Sequence, residues 1–299
     1  MSSSPEFTVL TPTYNRAHTL AGVYESLCAQ TLREFEWVIV DDGSTDGTTA
    51  LVGRWKDEAR CDIQYFYQPN QGKHVAVNLG VKRSRGQFLL ILDSDDRCSP
   101  QALERFQIHW ESIPEQSRNS FSGVTCLCMT ADGAIVGSPF PERVIDSDSI
   151  SLYTRYRIHG EKWGFHRTEI LRQFPYPVFE GERFIPEGVV WNRIAKRYKL
   201  RFVNEPLRIF EPGKDGLTAQ IRRVRIQSPL GARLYYLEYA QAVSNWWHRA
   251  RAVINYFRFS AHAKVSPRRA LADVGVPRRF SALLPLGYLW SALDHCFRR

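Results

Sequence analysis

Short apolar runs alternate with amphipathic segments over the first 95 residues of the chain. Four runs rich in β-branched and aromatic residues predict strands at residues 7–11, 36–40, 63–67 and 88–92. Between these runs, apolar residues recur at helical spacing and predict helices over residues 18–29, 47–58 and 73–83. Continuous apolar runs suit parallel strands that are buried on both faces. The βαβαβαβ order therefore predicts an α/β fold with an open sheet and right-handed crossovers.

The pattern changes in the rest of the chain. It predicts a strand at 121–129, a polar and loop-rich section at 132–164, a helix at 187–198 and a strand at 200–203. From about residue 229 onward helical periodicity dominates, and one apolar stripe is formed by Leu237, Ala240, Val243, Trp247, Ala250, Ile254 and Phe257. We therefore predict an α/β domain at residues 1–228 and a helical C-terminal extension at residues 229–299.

Composition and charge narrow the class of protein. Hydrophobic residues make up 43% of the 299 residues and charged residues 24%, which is typical of a globular protein. The net charge of +9 is uneven, because residues 219–299 hold 14 Lys and Arg against 3 Asp and Glu. No run of about 18 apolar residues and no secretory signal pattern is visible. The six cysteines have no metal-type spacing, so we expect a cytoplasmic chain with reduced thiols.

Two acidic clusters directly follow predicted strands. They are residues 41–42 (DD) and residues 93–96 (DSDD). In open α/β sheets, ligands bind beyond the carboxyl ends of the strands. On an extended segment the carboxylates of Asp93 and Asp95 would point the same way. Such a pair suits a hard divalent ion that also binds phosphate oxygens. The alternative is a solvated acidic turn that caps the helix expected after it.

Three further segments carry turn and anion-binding chemistry. They are TPTYNR at 11–16, DDGSTDGT at 41–48 and NQGKHVAVNLG at 70–80. The first two are rich in helix-capping and turn residues, and the third opens a helix whose backbone N–H groups suit an anion. Each segment alone is compatible with a purely structural role. Together with the DSDD segment, in this order and spacing, they resemble the inverting family 2 glycosyltransferases.

The resemblance implies a GT-A fold, with a Rossmann-like nucleotide-sugar half and a smaller acceptor half. It implies the inverting transfer of one sugar from a nucleotide-sugar, here a UDP-sugar, to an acceptor hydroxyl in bacterial cell-surface polysaccharide or lipopolysaccharide synthesis. It also implies that Asp42 contacts the uracil or ribose, and that Asp93 and Asp95 bind Mn²⁺ or Mg²⁺. The donor-binding residues that it implies are Thr11, Tyr14, Asp42, Lys73, Asn78, Asp93 and Ser94.

The family places its general base in an acidic motif before a helix in the second half of the domain. The best match here is Glu187, which follows Phe184-Ile185-Pro186 and precedes a predicted helix. The usual Glu-Asp pair is replaced by Pro-Glu-Gly, and Glu180 and Glu182 are nearby competitors for the role. A carboxylate in the first turn of a helix is also favoured by the helix dipole without any catalytic function.

Other classes of function fit the sequence less well. A sugar-nucleotide pyrophosphorylase requires a Gly-rich loop after the first strand, and an NAD-dependent enzyme requires GxGxxG there. The segment at 11–16 contains no glycine. A nucleic-acid binder that uses the basic tail would leave the acidic clusters without a role, and carboxylates repel phosphate backbones. We therefore expect no nucleic-acid partner.

The basic C-terminal extension also suggests a membrane partner. Trp246, Trp247, Tyr256 and Phe257 alternate with Arg249, Arg251 and Arg258, which is the mixture expected of an interfacial helix. The uncharged run at residues 280–293 is too short to span a bilayer, so we expect it to lie in the membrane interface or to pack on the α/β domain. We predict that the extension either caps the α/β domain or binds an anionic membrane at the inner face of the cell membrane. Membrane binding would suit a lipid-linked acceptor, although a free glycan acceptor is equally compatible with the sequence.

Overall fold

The computed structural model describes residues 5–211 and 220–296, with side chains through Asp294. These residues form two compact units. The first unit contains the described residues up to Pro175 and those from Arg197 to Glu211. The second contains Tyr176–Lys196 and the described residues from Gln220 onward. The sequence analysis predicts one boundary at residue 228, which places residues 176–196 in the N-terminal domain. In the structure these residues belong to the second unit.

The first unit is a mixed α/β structure. Its strands are β1 (Phe7–Thr13), β2 (Phe35–Asp41), β3 (Asp62–Tyr67), β4 (Phe88–Ile91), β5 (Arg97–Cys98), β6 (Phe121–Met129), β7 (Val144–Ser147), β8 (Lys162–Arg167) and β9 (Lys199–Ile209). Its helices are α1 (Ala17–Cys28), α2 (Thr48–Glu58), α3 (Lys73–Arg83), α4 (Ala102–Glu111), α5 (Ser149–Thr154) and α6 (Thr168–Gln173), with a 3₁₀ helix at Glu115–Ser120.

The strands form one sheet in the order β3-β2-β1-β4-β8-β6-β9-β5, and β7 pairs with β9. Strands β1 to β4 are parallel to one another, as the alternating pattern predicted. Strand β8 is antiparallel to both β4 and β6. The sequence analysis missed β8, because its two inward residues, Trp163 and Phe165, lie at the end of a section dominated by polar residues.

Helices cover the parallel strands, and this explains their uniform apolar composition. All seven residues of β1 and all seven of β2 are buried. Such complete burial is typical of parallel strands with both faces covered. Since β1, β2 and β4 run in the same direction, their carboxyl ends lie along one edge of the sheet. The TPTYNR, DDGSTDGT and DSDD segments are therefore brought to the same edge.

The second unit is helical, which confirms the prediction of a helical C-terminal region. Its helices are α7 (Gly188–Ala195), α8 (Ile221–Gln227), α9 (Pro229–Ala242), α10 (Trp246–His262), α11 (Pro267–Asp273) and α12 (Leu284–Cys296), with a 3₁₀ helix at Arg278–Leu283. Its core forms where α10 packs against α9 and α12, and it contains Val253, Tyr256, Phe257 and Phe280.

This packing corrects the predicted interfacial helix. Tyr256 and Phe257 are fully buried in the core of the second unit, and Arg258 is buried as well. Arg249 donates hydrogen bonds to the carbonyl oxygens of Ala240 and Val243 at the end of α9. These side chains stabilise the helical unit and do not form an exposed face. None of the helices in residues 5–211 and 220–296 is long and apolar enough to cross a membrane.

Candidate active site

The turns after β1 and β2 hydrogen-bond to each other at the carboxyl edge of the sheet. Asn15 adopts a left-handed conformation with φ +52°, which Asn tolerates better than most residues. Its N–H donates to Ser44 Oγ at 2.8 Å, and its Oδ1 accepts from the N–H of Thr45 at 2.8 Å. Asp46 Oδ2 accepts from the N–H of Ala17 at 3.1 Å. The two turns therefore form one connected network.

The carboxylate of Asp42 is buried beneath the loop that follows β3. Its Oδ1 accepts from Gln68 Nε2 at 2.7 Å and from the N–H of Gln71 at 2.9 Å. Its Oδ2 accepts from the N–H of Gly72 at 2.7 Å. Asp42 therefore fixes the conformation of residues 68–72 through buried hydrogen bonds. Its contact with a donor nucleoside stays a prediction.

Gly43 allows this loop to approach the turn after β2. Its φ of +89° lies in the region that favours glycine. A Cβ at this position would lie 2.8 Å from the backbone nitrogen of Asn70, which is too close for any other residue type without a backbone shift. The glycine of the DDGS segment is thus explained by the close contact with the loop.

The DSDD segment connects β4 to β5 as a turn. The N–H of Asp96 donates to the carbonyl oxygen of Asp93 at 3.1 Å. The prediction of an extended segment is therefore wrong, and the argument that alternate carboxylates share one face of a strand does not apply. The turn instead gives Asp93, Asp95 and Asp96 three different environments.

Asp93 lies between two cationic side chains. Lys73 Nζ, from the first turn of α3, is 2.7 Å from Asp93 Oδ1, and Arg208 Nη2 is 3.7 Å from Asp93 Oδ2. Burial disfavours the charged form of Asp93, but Lys73 and Arg208 outweigh it and lower the pKa of this carboxyl below its ordinary value. The predicted donor-binding residues Lys73 and Asp93 are therefore brought together as an ion pair.

Asp96 is fully buried and pairs with Arg208. The pairing of β5 with β9 places Arg208 opposite Cys98, two residues beyond Asp96. Burial raises the pKa of Asp96 to about 7, although the adjacent guanidinium opposes the shift. The sequence analysis missed Arg208, because nothing in the β9 sequence links this residue to the DSDD turn.

Replacing Arg208 by methionine should lower the free energy of unfolding by about 3–5 kcal/mol, since it leaves the Asp96 carboxylate buried without its partner. Chemical unfolding of the purified chain measures the change. Arg201→Met, on the same strand, removes the more exposed pair with Asp146 and should cost less. An Arg208→Met chain as stable as the wild type would contradict a stabilising role for the buried pair.

Asp95 differs from the other two carboxylates because it has no partner among the described residues. It is partly exposed, and it makes no hydrogen bond or ion pair with any residue that the structure describes. Its carboxylate oxygens are therefore available to a ligand. Asp95 is the part of the predicted metal pair that fits this role most directly, because Asp93 is already paired with two cations.

Two buried polar side chains at the same edge have no hydrogen-bond partner among the described residues. They are Thr13 Oγ1, at the end of β1, and both ring nitrogens of His74, near the start of α3. Burial lowers the pKa of His74, so its imidazole is neutral near pH 7. Buried polar groups are nearly always hydrogen-bonded, either to protein or to ordered water. Both residues lie within the quoted motifs, but spacing alone did not single them out.

The remaining predicted donor-binding residues differ in exposure. Thr11 is fully buried, and its Oγ1 accepts from Trp37 Nε1 at 2.9 Å. Ser94 is also buried, whereas Asn78 is partly exposed on α3 and Tyr14 is exposed. Thr11 thus has a clear structural role below the edge of the sheet, and its predicted position in the lining of the donor site remains untested.

Residues 8–117, which contain the four motifs, match the profile of the family described as Glycosyl transferase family 2. These residues form a family 2 glycosyltransferase domain. A relative from Rickettsia felis, described as an uncharacterized glycosyltransferase, is 42% identical over 96 residues, which are 32% of this chain and 16% of the Rickettsia protein. The chain therefore spans a small part of that relative.

A more extensive match is to the GalNAc(5)-diNAcBac-PP-undecaprenol beta-1,3-glucosyltransferase of Campylobacter jejuni. It is 25% identical over 248 residues, which cover 81% of this chain and 75% of that protein. Among solved structures, TarS of S. aureus in complex with UDP-GlcNAc has a TM-score of 0.61 and 19% identity. The likeness covers 97% of this chain and 89% of TarS residues 1–349. The family 2 domain thus has the GT-A fold that the motifs implied.

A metal ion fits the glycosyltransferase site only if the substrate supplies most of its ligands. Among residues 5–211 and 220–296, no group of three or more His, Cys, Asp or Glu residues could hold a metal. Mg²⁺ commonly binds one or two carboxylates together with substrate phosphates and water. The accessible carboxylate of Asp95, next to Asp93 in the DSDD turn, matches that pattern. These are the residues that would hold Mn²⁺ or Mg²⁺.

The three candidate base residues lie in the second unit. Glu182 is buried, and its carboxylate accepts from the N–H groups of Leu230 at 2.6 Å and Gly231 at 2.8 Å. Burial raises the pKa of Glu182, while the two hydrogen bonds oppose this shift. Glu182 therefore stabilises the N-terminus of α9, which is a structural role.

Glu187 occupies the N-cap position of α7 and is exposed. Helix α7 is anchored to α9, because Arg193 forms a bidentate ion pair with Glu238, with its shortest distance at 2.6 Å. A Cβ on Gly188 would lie 2.5 Å from Tyr235 Cε2, so the first turn of α7 packs closely against α9. The backbone of Glu187 is thus part of a rigid helix end. Glu180, in contrast, is exposed in the loop that precedes α7.

Proposed function

We propose that the chain transfers a single sugar from a UDP-sugar to an acceptor hydroxyl with inversion of configuration, with the help of Mn²⁺ or Mg²⁺. The observation that carries this proposal is the DSDD turn of the family 2 domain. There Asp95 presents a carboxylate that no described residue engages, beside Asp93, which Lys73 and Arg208 hold in place. A donor diphosphate would meet both a metal-binding carboxylate and fixed cations at this edge of the sheet.

This geometry supports the following roles for the site residues. Lys73 and Arg208 supply positive charge near the diphosphate and keep Asp93 ionised. Asp42 positions the loop of residues 68–72. A bound divalent ion would stabilise the charge that develops on the departing nucleoside diphosphate. The water-excluding packing of β1 and β2 below the site strengthens these charge interactions.

Glu187 is the proposed general base. It would accept the proton of the acceptor hydroxyl while the hydroxyl oxygen bonds to the anomeric carbon and the bond to the nucleoside diphosphate breaks. A single displacement of this kind inverts the anomeric configuration. Glu182 is the weaker candidate because its carboxylate already caps α9. Glu180 remains an alternative base, since it is exposed and lies on the same approach to α7.

The acceptor and the location are inferred from the relatives. The Campylobacter relative is named for an undecaprenol-linked acceptor, and TarS was solved with UDP-GlcNAc. We infer a glycan or lipid-linked acceptor in bacterial cell-surface polysaccharide or lipopolysaccharide synthesis. The chain would then act in the cytoplasm, peripherally at the inner face of the cell membrane.

A panel of nucleotide-sugars with Mn²⁺ or Mg²⁺ tests the proposal. We expect release of UDP from one UDP-sugar, loss of release with excess chelator, and recovery when the metal is restored. NMR of the product should show a β-linkage from an α-linked donor. Release that is indifferent to the chelator would overturn the metal requirement. Turnover of a different nucleotide-sugar alone would overturn the choice of UDP.

A further inference from the structure

Helix α12 of the second unit has an apolar face that the described residues leave about half exposed. Leu286, Leu289, Trp290 and Leu293 are 51%, 60%, 42% and 46% exposed. Their spacing of i, i+3, i+4 and i+7 places them on one side of the helix. Large apolar side chains grouped in this way are uncommon on the surface of a soluble protein, where single exposed residues are the norm.

The opposite side of α12 is fixed against α10. Gly287 lies so close to α10 that a Cβ would be 2.5 Å from Phe257 Cβ, and Ser291 and Asp294 are buried. The Asp294 carboxylate accepts from Arg258 Nε at 2.6 Å and from Arg258 Nη2 at 2.7 Å. The helix therefore cannot rotate to bury its outer stripe without breaking a buried ion pair.

The surface next to the stripe is aromatic and basic. Trp246 and Trp247 are exposed, and the Trp246 ring lies 6.3 Å from the Phe280 ring in the 3₁₀ helix that precedes α12. Arg278 and Arg279 of that 3₁₀ helix are exposed. The guanidinium of Arg258 lies 4.8 Å from the centroid of the Trp290 ring and helps to fix its orientation.

Charge balance in the helical unit favours an anionic partner. Residues 220–294 contain three acidic residues, Glu238, Asp273 and Asp294, and each forms an ion pair with arginine. The exposed cations Arg251, Lys264, Arg268, Arg278 and Arg279 therefore face solvent with little acidic compensation. An apolar stripe with tryptophans and arginines suits the boundary between lipid headgroups and acyl chains.

We propose that the outer face of α12, together with the Trp246–Trp247 pair, docks on a membrane surface that contains anionic lipid. The helix lies in the plane of the surface, with Leu286, Leu289, Trp290 and Leu293 among the upper acyl chains. The arginines before α12 contact the headgroups. This docking agrees with the prediction for residues 280–293, but it excludes Tyr256, Phe257 and Arg258, which lie in the core. It brings the chain to lipid-linked substrates but is independent of glycosyl transfer.

Flotation of the full chain with vesicles tests the docking. Vesicles of phosphatidylcholine with phosphatidylglycerol should bind the chain, whereas phosphatidylcholine alone should bind it weakly, and added salt should weaken binding to the anionic vesicles. Leu289→Glu should lower the partition coefficient by at least about tenfold, because it places a charge among the acyl chains. Leu289→Ser should give a smaller loss in the same direction.

The matched control is Ile108→Glu, which makes the same charge change at an exposed position of α4. It should bind vesicles like the wild type, and circular dichroism should show that all variants are folded. Equal vesicle binding by Leu289→Glu and the wild type would overturn the proposal. A wild-type dimer that Leu289→Glu converts to a monomer would also overturn it, in favour of a second copy on this face. Donor turnover without vesicles should be unchanged in Leu289→Glu, so failure of the docking and failure of the transferase function are separable.

Discussion

Asp95→Asn is expected to abolish nearly all sugar transfer while leaving the protein folded. The substitution removes the accessible carboxylate of the DSDD turn and keeps its shape. A catalytic metal ion supplies several kcal/mol of charge stabilisation, so we expect a loss of about 10²–10³-fold in kcat. Folding should be preserved, because Asp95 makes no hydrogen bond or ion pair with the described residues. Initial rates of nucleotide release, measured over a range of Mn²⁺ concentrations, provide the test.

The control for Asp95→Asn is Asp57→Asn, which removes the same charge from an exposed position on α2. It should retain wild-type activity and metal dependence. Unfolding curves for both variants should match that of the wild type. An Asp95→Asn enzyme with wild-type turnover at low Mn²⁺ would show that Asp95 does not hold the metal. Residual activity that rises with added Mn²⁺ is the pattern expected if the site has only been weakened.

Glu187→Gln is expected to bind the donor normally and to turn over about 10²–10⁴-fold more slowly, which is the usual contribution of a general base. The amide keeps the size of the side chain but cannot accept the acceptor proton at neutral pH. Isothermal titration with UDP measures donor binding, and steady-state rates with the acceptor measure turnover. A normal Kd with a strongly reduced kcat separates this role from one in donor binding.

The neighbouring glutamates provide two controls for Glu187. Glu180→Gln should remain active, because Glu180 lies in the exposed loop and is not part of α7. Glu182→Gln should lose stability, since its carboxylate accepts the N–H groups of Leu230 and Gly231, and an amide offers one oxygen in place of two. If Glu180→Gln is inactive and Glu187→Gln is active, then Glu180 is the base.

The sequence predicted the parallel half of the sheet and the edge at which the acidic turns lie, because both depend on local patterns. Continuous apolar runs predict β1, β2 and β4. The acidic turns begin where the runs of β2 and β4 end, so their position is predicted as well. The partners of the acidic residues depend on distant pairing and could not be predicted. Arg208 reaches Asp96 only because β9 pairs with β5.

The same reasoning explains the errors in the C-terminal region. Periodicity identified helices there, but an amphipathic pattern does not reveal which neighbour covers which face. Phe257 and Arg258 are adjacent in sequence and are both buried, since α12 packs on Phe257 through Gly287 and pairs with Arg258 through Asp294. The buried Asp294 satisfies Arg258, and it lies 36 residues further along the chain. A basic aromatic stripe in the sequence was therefore compatible with either a core or a surface.

The DSDD turn enters from β4 and leaves into β5, and both strands belong to the same sheet. Arg208 also ties the turn to β9 through Asp96. The conformational entropy of this segment is therefore lost when the protein folds and not when a ligand arrives. A ligand that binds here meets a backbone that is already ordered, so its affinity is not reduced by the ordering of a loop. Rigid placement of this kind also favours a high effective molarity of the reacting groups.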